Sequence, residues 1–296
     1  MRQVDLRPVA LMGAGFCASH FLRSAPRSLL MSLLRCFSTL GCPDLSLDAT
    51  LELTRRFQIP AIEVRALGGS LDLTAYLKAT HGTPANFARR LADSAVRVVA
   101  FDTSLRLVGG TPAEREQVMA LAPWAEAAGI RWLRVFDGGK LADVAELAEA
   151  AETLGWWRES RLRFGWQVEL MVETHDALLT SAAIERFCAA LPGTALLWDA
   201  HHTWRKGGED PVATWRAIHA AVVHVHVKDS IALPSARHPF TYVLPGGGDF
   251  PMRSLVATLQ SDGFDGPVSL EWEKVWHPYL GTLEEALAAA AACRWW

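Results

Sequence analysis

The stretch VVHVHVKD, residues 222–229, alternates strictly. Val223, Val225 and Val227 fall on one side of an extended chain, and His224, His226 and Lys228 on the other, because successive strand side chains point to opposite faces. An aliphatic face suits packing against helices. A face of imidazoles and an amine suits a polar interior. Two other stretches share the design. FGWQVELMVE (164–173) sets Val168, Leu170 and Val172 against Gln167, Glu169, Met171 and Glu173, and PVSLEWE (267–273) sets Val268, Leu270 and Trp272 against Ser269, Glu271 and Glu273.

Outward from these, strand and helix signals alternate along the chain from Leu33. Strands are expected at 33–39, 61–67, 96–102, 130–136, 164–173, 194–200, 222–228 and 267–273, each followed by a helical pattern, with a long loop from 228 to Gly248. Ser46 reads as the N-cap of the first helix. Eight β-then-α units specify a parallel sheet, and eight is the number that closes a (β/α)8 TIM barrel. The 296-residue length suits that fold as a single domain, residues 32–296. A doubly wound open sheet is the alternative, but no Gly-rich phosphate or dinucleotide loop follows the first strand.

Residues 1–31 differ from the rest: they are arginine-bearing and poor in acids. They read as a poorly ordered N-terminal extension, either a targeting segment or a stretch upstream of a start at Met31. Net charge is −3 with no basic block, so extended contact with nucleic acid has no electrostatic support. No apolar run reaches membrane-spanning length. Five scattered cysteines without CxxC point to reduced thiols and a cytoplasmic protein.

Four strands end on groups that bind cations: Glu173, Asp199, His226 and Glu271. In a parallel barrel these ends share the C-terminal mouth, where active sites of such barrels lie. Carboxylates plus a neutral imidazole suit one divalent metal, Mn²⁺, Mg²⁺, Co²⁺ or Zn²⁺. Each residue alone reads as an ordinary rim group; the four together read as a site. His224, deeper in the strand, reads as a buried hydrogen-bonded imidazole. Lys228 either polarises substrate or pairs with Asp229. Glu63, in strand two, reads as a structural partner of Arg65 or Arg134. The 12 tryptophans read mostly as core or helix packing, with Trp204 and Trp272 as the two that could wall a pocket, and Cys36 and Cys42 read as inert.

RCFSTLGCPDLSLDATLELTRRFQIPAIEVR (35–65), the Glu173–His175 and Asp199–His202 pairs, HVKD (226–229), GGGDF (246–250) and SLEWEKVWHP (269–278) occur in order. Together they resemble the sugar phosphate isomerase/epimerase family, the xylose isomerase-like barrels, over about residues 33–290. The resemblance implies one metal held by Glu173, Asp199, His226 and Glu271, and proton transfer beside a carbonyl. General chemistry agrees: a metal acidifies the adjacent C–H, and Glu173 and Glu271 could move the proton on two faces of the substrate. His202, Lys228, Glu63, Arg237 and His238 are the expected substrate contacts. The expected function is an isomerase or epimerase of a sugar, keto-sugar or polyol, a small-molecule substrate.

A dehydratase or lyase of the inosose dehydratase type would use the same metal site. A barrel that binds metal without catalysis is a third possibility. A nuclease like endonuclease IV would need histidines after strands two and three; strand three ends in VVAFDTS, which offers Asp102 instead. No Gly-rich helix start grips a phosphate, which tips the expectation towards an unphosphorylated substrate.

Overall fold

The computed structural model describes Met1 and residues 33–295, so the extension expected over residues 1–31 falls outside them, Met1 apart. Eight parallel strands close into a barrel. They are β1 (Leu34–Ser38), β2 (Ala61–Val64), β3 (Arg97–Val108), β4 (Trp132–Gly138), β5 (Glu169–Glu173), β6 (Ala195–Asp199), β7 (Val222–Val227) and β10 (Pro267–Leu270), in that order around the ring. Two short strands, β8 (Asp229–Ile231) and β9 (Thr241–Val243), form an antiparallel pair outside the ring.

The two faces read from the strands separate as the pleat requires. Leu170, Val172, Val225, Val227, Val268 and Leu270 are buried in the large apolar layer shared with the helices. Inside the ring the lower positions are apolar, with Cys36, Ala61 and Val99 in one small cluster and Ala100, Met171 and Leu197 in another. Above them the interior turns polar, because Glu63, His224, His226 and Ser269 are all fully buried there.

Helix starts follow local chemistry. Ser46 accepts the Ala49 N–H at 3.2 Å and opens the helix Leu47–Phe57. Thr111 and Thr282 form reciprocal capping boxes with Glu114 and Glu285.

The structure differs from expectation at several places. The helix expected from Lys140 runs over Val144–Phe164, so β5 begins only at Glu169. A helix absent from the sequence reading, Leu73–His81, follows β2. The segment expected as a long loop holds the β8–β9 pair. Asp229 organises its return: its carboxylate accepts the backbone N–H groups of Gly246, Gly248 and Phe250 at 2.9–3.1 Å. Asp229 is therefore a loop clamp rather than the partner of Lys228. Among the described residues no helix is long and apolar enough to cross a membrane.

Candidate metal centre

Register brings the four expected ligands to the same end of four neighbouring strands, β5, β6, β7 and β10. Asp199 pairs with His226, and His226 with Ser269 two residues before Glu271. The strand β10 stops at Leu270, yet the Glu271 N–H still bonds Val227 O at 3.1 Å, which carries its side chain into the mouth. One ligand-type atom from each of Glu173, Asp199, His226 and Glu271 lies within 4.8 Å of the others. All four residues are buried. His226 Nδ1 stands 3.3 Å from Glu271 Oε2 and 3.6 Å from Glu173 Oε1.

The donor set fits a divalent cation. Glu173 Oε2, Asp199 Oδ2 and His226 Nδ1 are buried atoms without a hydrogen bond of acceptable angle. Arg134 Nε and Lys228 Nζ make only charge contacts with the first two, at 3.1 and 2.8 Å. Buried polar atoms left without a hydrogen bond are uncommon in folded proteins. Three carboxylates and one imidazole match the oxygen and nitrogen preferences of Mn²⁺, Mg²⁺, Co²⁺ or Zn²⁺.

Glu63 requires a correction. It is fully buried and does not line the cavity over the site. Its carboxylate meets His226 Nε2 at 2.9 Å, His224 Nε2 at 3.0 Å and the Ser269 hydroxyl at 3.0 Å. Glu63 thus holds imidazoles rather than substrate, and it pairs with neither Arg65 nor Arg134. Burial would raise its pKa, but His226 and His224 outweigh burial and hold it below the usual carboxylate range. An ionised carboxylate only accepts, so Nε2 carries the proton and Nδ1 faces the carboxylates.

Lys228 also departs from its expected role. It is 1% exposed and lies among the carboxylates of Asp199, Glu271 and Glu273, at 2.8 Å from the first and 2.6 Å from the last. Burial would lower its pKa, yet these three partners hold it well above the ordinary lysine value. It does not line the cavity. Burial likewise opposes ionisation of Glu271 and Glu173. His226 and Lys228 hold Glu271 well below the usual range, and Arg134 lowers Glu173. Asp199 is raised by burial against the pull of Lys228. For His226, burial acts downward, and Glu271 and Glu63 lift it well above its usual value. The negative potential that lifts it also attracts a metal ion.

Above the carboxylates opens a cavity of about 450 Å³. Glu173, Glu271, His202, Arg237 and His238 line it, so these five expected site residues share one space. Asp199 caps the short helix Ala200–Arg205 by accepting the His202 N–H at 2.8 Å, which turns the His202 ring towards the mouth. Burial and Lys228 push His202 well below its ordinary value, so it is a neutral imidazole. His238 stacks on Phe240, and Arg237 donates to Trp276 O at 3.0 Å. Trp204 and Trp272 do not line the cavity; Trp276 and Phe136 do.

Tyr242 escapes the sequence reading, and Arg134 enters it only as a partner of Glu63. Arg134 occupies an inward position between the core residues Leu133 and Val135, a signal present in IRWLRVF. Tyr242 donates to Glu273 Oε1 at 3.0 Å from the unforeseen β9. A third group, Asp137, His175 and Asp176, has metal-like spacing. However, Asp137 already accepts the N–H groups of Gly138, Asp176, Ala177 and Leu178, so it ties β4 to the loop after β5.

A closed (β/α)8 barrel with a carboxylate–imidazole cluster at its C-terminal mouth defines the class: a TIM barrel with a candidate metal centre. The chain belongs to the xylose isomerase-like TIM barrel family, which matches residues 51–296. No curated protein matches the sequence. Among solved structures it is similar to the probable 3-DHS dehydratase AsbF of Bacillus anthracis, with 16% identity, TM-score 0.70, and 88% of this chain and 98% of that chain covered. It is similar to the IolI protein with a binding zinc atom, with 16% identity, TM-score 0.67 and coverage of 89% and 96%. A D-tagatose 3-epimerase-like protein gives 15% identity, TM-score 0.62 and coverage of 89% and 96%. At such identities these likenesses are likenesses of fold.

Proposed function

We propose that the protein is a divalent-metal-dependent isomerase or epimerase that moves a proton at a carbon beside a carbonyl of a small polyhydroxylated substrate. The observation that carries this is the convergence of Glu173, Asp199, His226 and Glu271 within 4.8 Å under a cavity of small-molecule size. Held by those four residues, a divalent ion would polarise the substrate carbonyl and acidify the neighbouring C–H.

The remaining work falls to side chains of this chain. Glu173 and Glu271 both reach the cavity, on strands separated by β6 and β7. One, as a carboxylate, removes the proton and becomes a carboxylic acid; the other returns a proton that it has first taken from solvent. Arg134 beside Glu173 and Lys228 beside Glu271 favour the ionised form, in which each can accept a proton. Lys228 is itself a poor base, because its ammonium is held by three carboxylates. His202, neutral and at the cavity wall, offers a hydrogen bond to a substrate oxygen.

A dehydratase begins with the same proton removal and then loses hydroxide. The test is ¹H NMR of candidate ketoses in D₂O with Mn²⁺-loaded protein. Deuterium entering a carbon beside the carbonyl, with the formula otherwise conserved, supports the isomerase or epimerase reading. A new enone absorbance instead selects dehydration. Loss of neither proton nor water across neutral and acidic ketoses would sink both.

A further inference from the structure

Arg65 is 6% exposed, lines the cavity, and among the described residues has no carboxylate within 4 Å. Its one side-chain hydrogen bond in the described structure goes to the Ser104 hydroxyl at 2.9 Å, a neutral group. Its backbone is fixed: Thr39 Oγ1 accepts the N–H groups of Arg65 and Ala66 at 2.9 and 3.1 Å. The other buried cations are matched. Arg134 has Glu173, and Lys228 has Asp199, Glu271 and Glu273.

A buried guanidinium without a counter-ion is costly unless a ligand supplies the charge. Nearby charges do not relieve it. Asp102, Glu173 and Glu271 attract it from beyond ion-pair distance, while Arg134 repels it. Two more cations, Lys206 and Arg237, line the same cavity, also without a carboxylate within 4 Å among the described residues. The cavity therefore has cation-binding carboxylates at its floor and unmatched positive charge at its wall.

We infer that the substrate carries an oxyanion, a carboxylate or a phosphate, that binds Arg65, with Lys206 and Arg237 at the entrance. This rests on the proton-transfer reading of the site and deepens it by naming the substrate class. Only its phosphate arm runs against the expectation of an unphosphorylated polyol or keto-sugar, which rests on the lack of a Gly-rich phosphate loop. Here a guanidinium fork takes the place of backbone N–H groups, and it suits both anions.

The test is titration calorimetry of the Mn²⁺-loaded full-length protein with three probes of one carbon skeleton: D-glucose, D-gluconate and D-glucose 6-phosphate. At least one anion is expected to bind about tenfold or more tightly than glucose, as a charge-assisted hydrogen bond in a buried site allows. The anion preferred tells carboxylate from phosphate. Arg65→Met should abolish the preference and leave Mn²⁺ binding in place, and Arg65→Lys should restore part of it. If Arg65→Met does not fold, the exposed pair Lys206→Ala with Arg237→Ala should still reduce the preference several-fold. Equal binding of all three probes, no binding of any, or a preference that survives these changes overturns the inference. Deuterium exchange, measured separately, reports on the proton-transfer reading: its absence alongside a clear anion preference would refute that reading and leave the anion site standing.

Discussion

Glu63 and His226 stand 163 residues apart in the chain and meet at 2.9 Å inside the barrel, Nε2 to carboxylate. The contact leaves Nδ1 as the nitrogen that faces Glu173 and Glu271. Glu63→Gln keeps the size but removes the charge that fixes the imidazole. Loss of such an outer partner typically costs about 10–100-fold in metal affinity. Mn²⁺ titration of the variant should show that loss while the circular dichroism spectrum is retained. Wild-type affinity would mean that Glu63 is only a packing group.

Glu173→Gln and Glu271→Gln test the proton-transfer pair. Each keeps an oxygen for the metal but loses the base, so deuterium exchange should slow by about 10²–10⁴-fold. Metal occupancy should fall less than in Asp199→Ala or His226→Ala, which remove a ligand outright. Exchange at the wild-type rate with both glutamates replaced would move the base elsewhere.

Gly248→Ala tests the loop clamp. A Cβ there would sit 2.2 Å from Asp229 Oδ1 and 2.6 Å from Ser230 O, distances that require the loop to move. The clamp should open, with a stability loss of about 1–3 kcal/mol if the Asp229 hydrogen bonds are left unmade. Urea unfolding would measure it, and limited proteolysis should cut first between residues 229 and 250. An unchanged midpoint would show that Asp229 holds the loop loosely.

The thiols give a test that involves no ligand. Cys42 is buried, and burial pushes its thiol up to about 12. At pH 8 about 10⁻⁴ of it is thiolate, against about a quarter of an ordinary thiol. Cys36 is fully buried and raised as well. Iodoacetamide mapping of the native protein should leave both unmodified while the half-buried Cys188 and Cys293 react. Early labelling of Cys42 would contradict the packing around the first turn.

A chain beginning at Met31 tests the domain boundary. All eight barrel strands come from residues 34–270. The shortened protein should melt within a few degrees of the full chain and bind Mn²⁺ alike. A large drop in melting temperature would make the first thirty residues part of the fold.

Much of the barrel was legible because its strands obey one rule. Val225 and Val227 of VVHVHVKD and Val168, Leu170 and Val172 of QVELMVE share the outward face, so the alternation also names the inward groups. The same rule pointed to Glu173, Asp199, His226 and Glu271. It could not assign partners across the ring. Glu63 reads as a rim acid until its carboxylate is seen to meet His226 and Ser269 inside the ring. Lys228 reads as a substrate contact until Glu273 folds back over it. Tyr242 was illegible, since the three-residue strands β8 and β9 are too short to leave a periodic signal.

Lys228 bears on how the site assembles. Its ammonium sits among Asp199, Glu271 and Glu273, so the barrel carries a resident positive charge where acidic groups would otherwise repel one another. Chain collapse then does not wait for an ion, unlike small zinc-dependent folds that are unstructured without one. The protein should refold in chelator and acquire its ion afterwards. On the proposed metal-dependent reading, the ion bound in the cell would then follow supply and exchange among free ions, not a choice made once during synthesis.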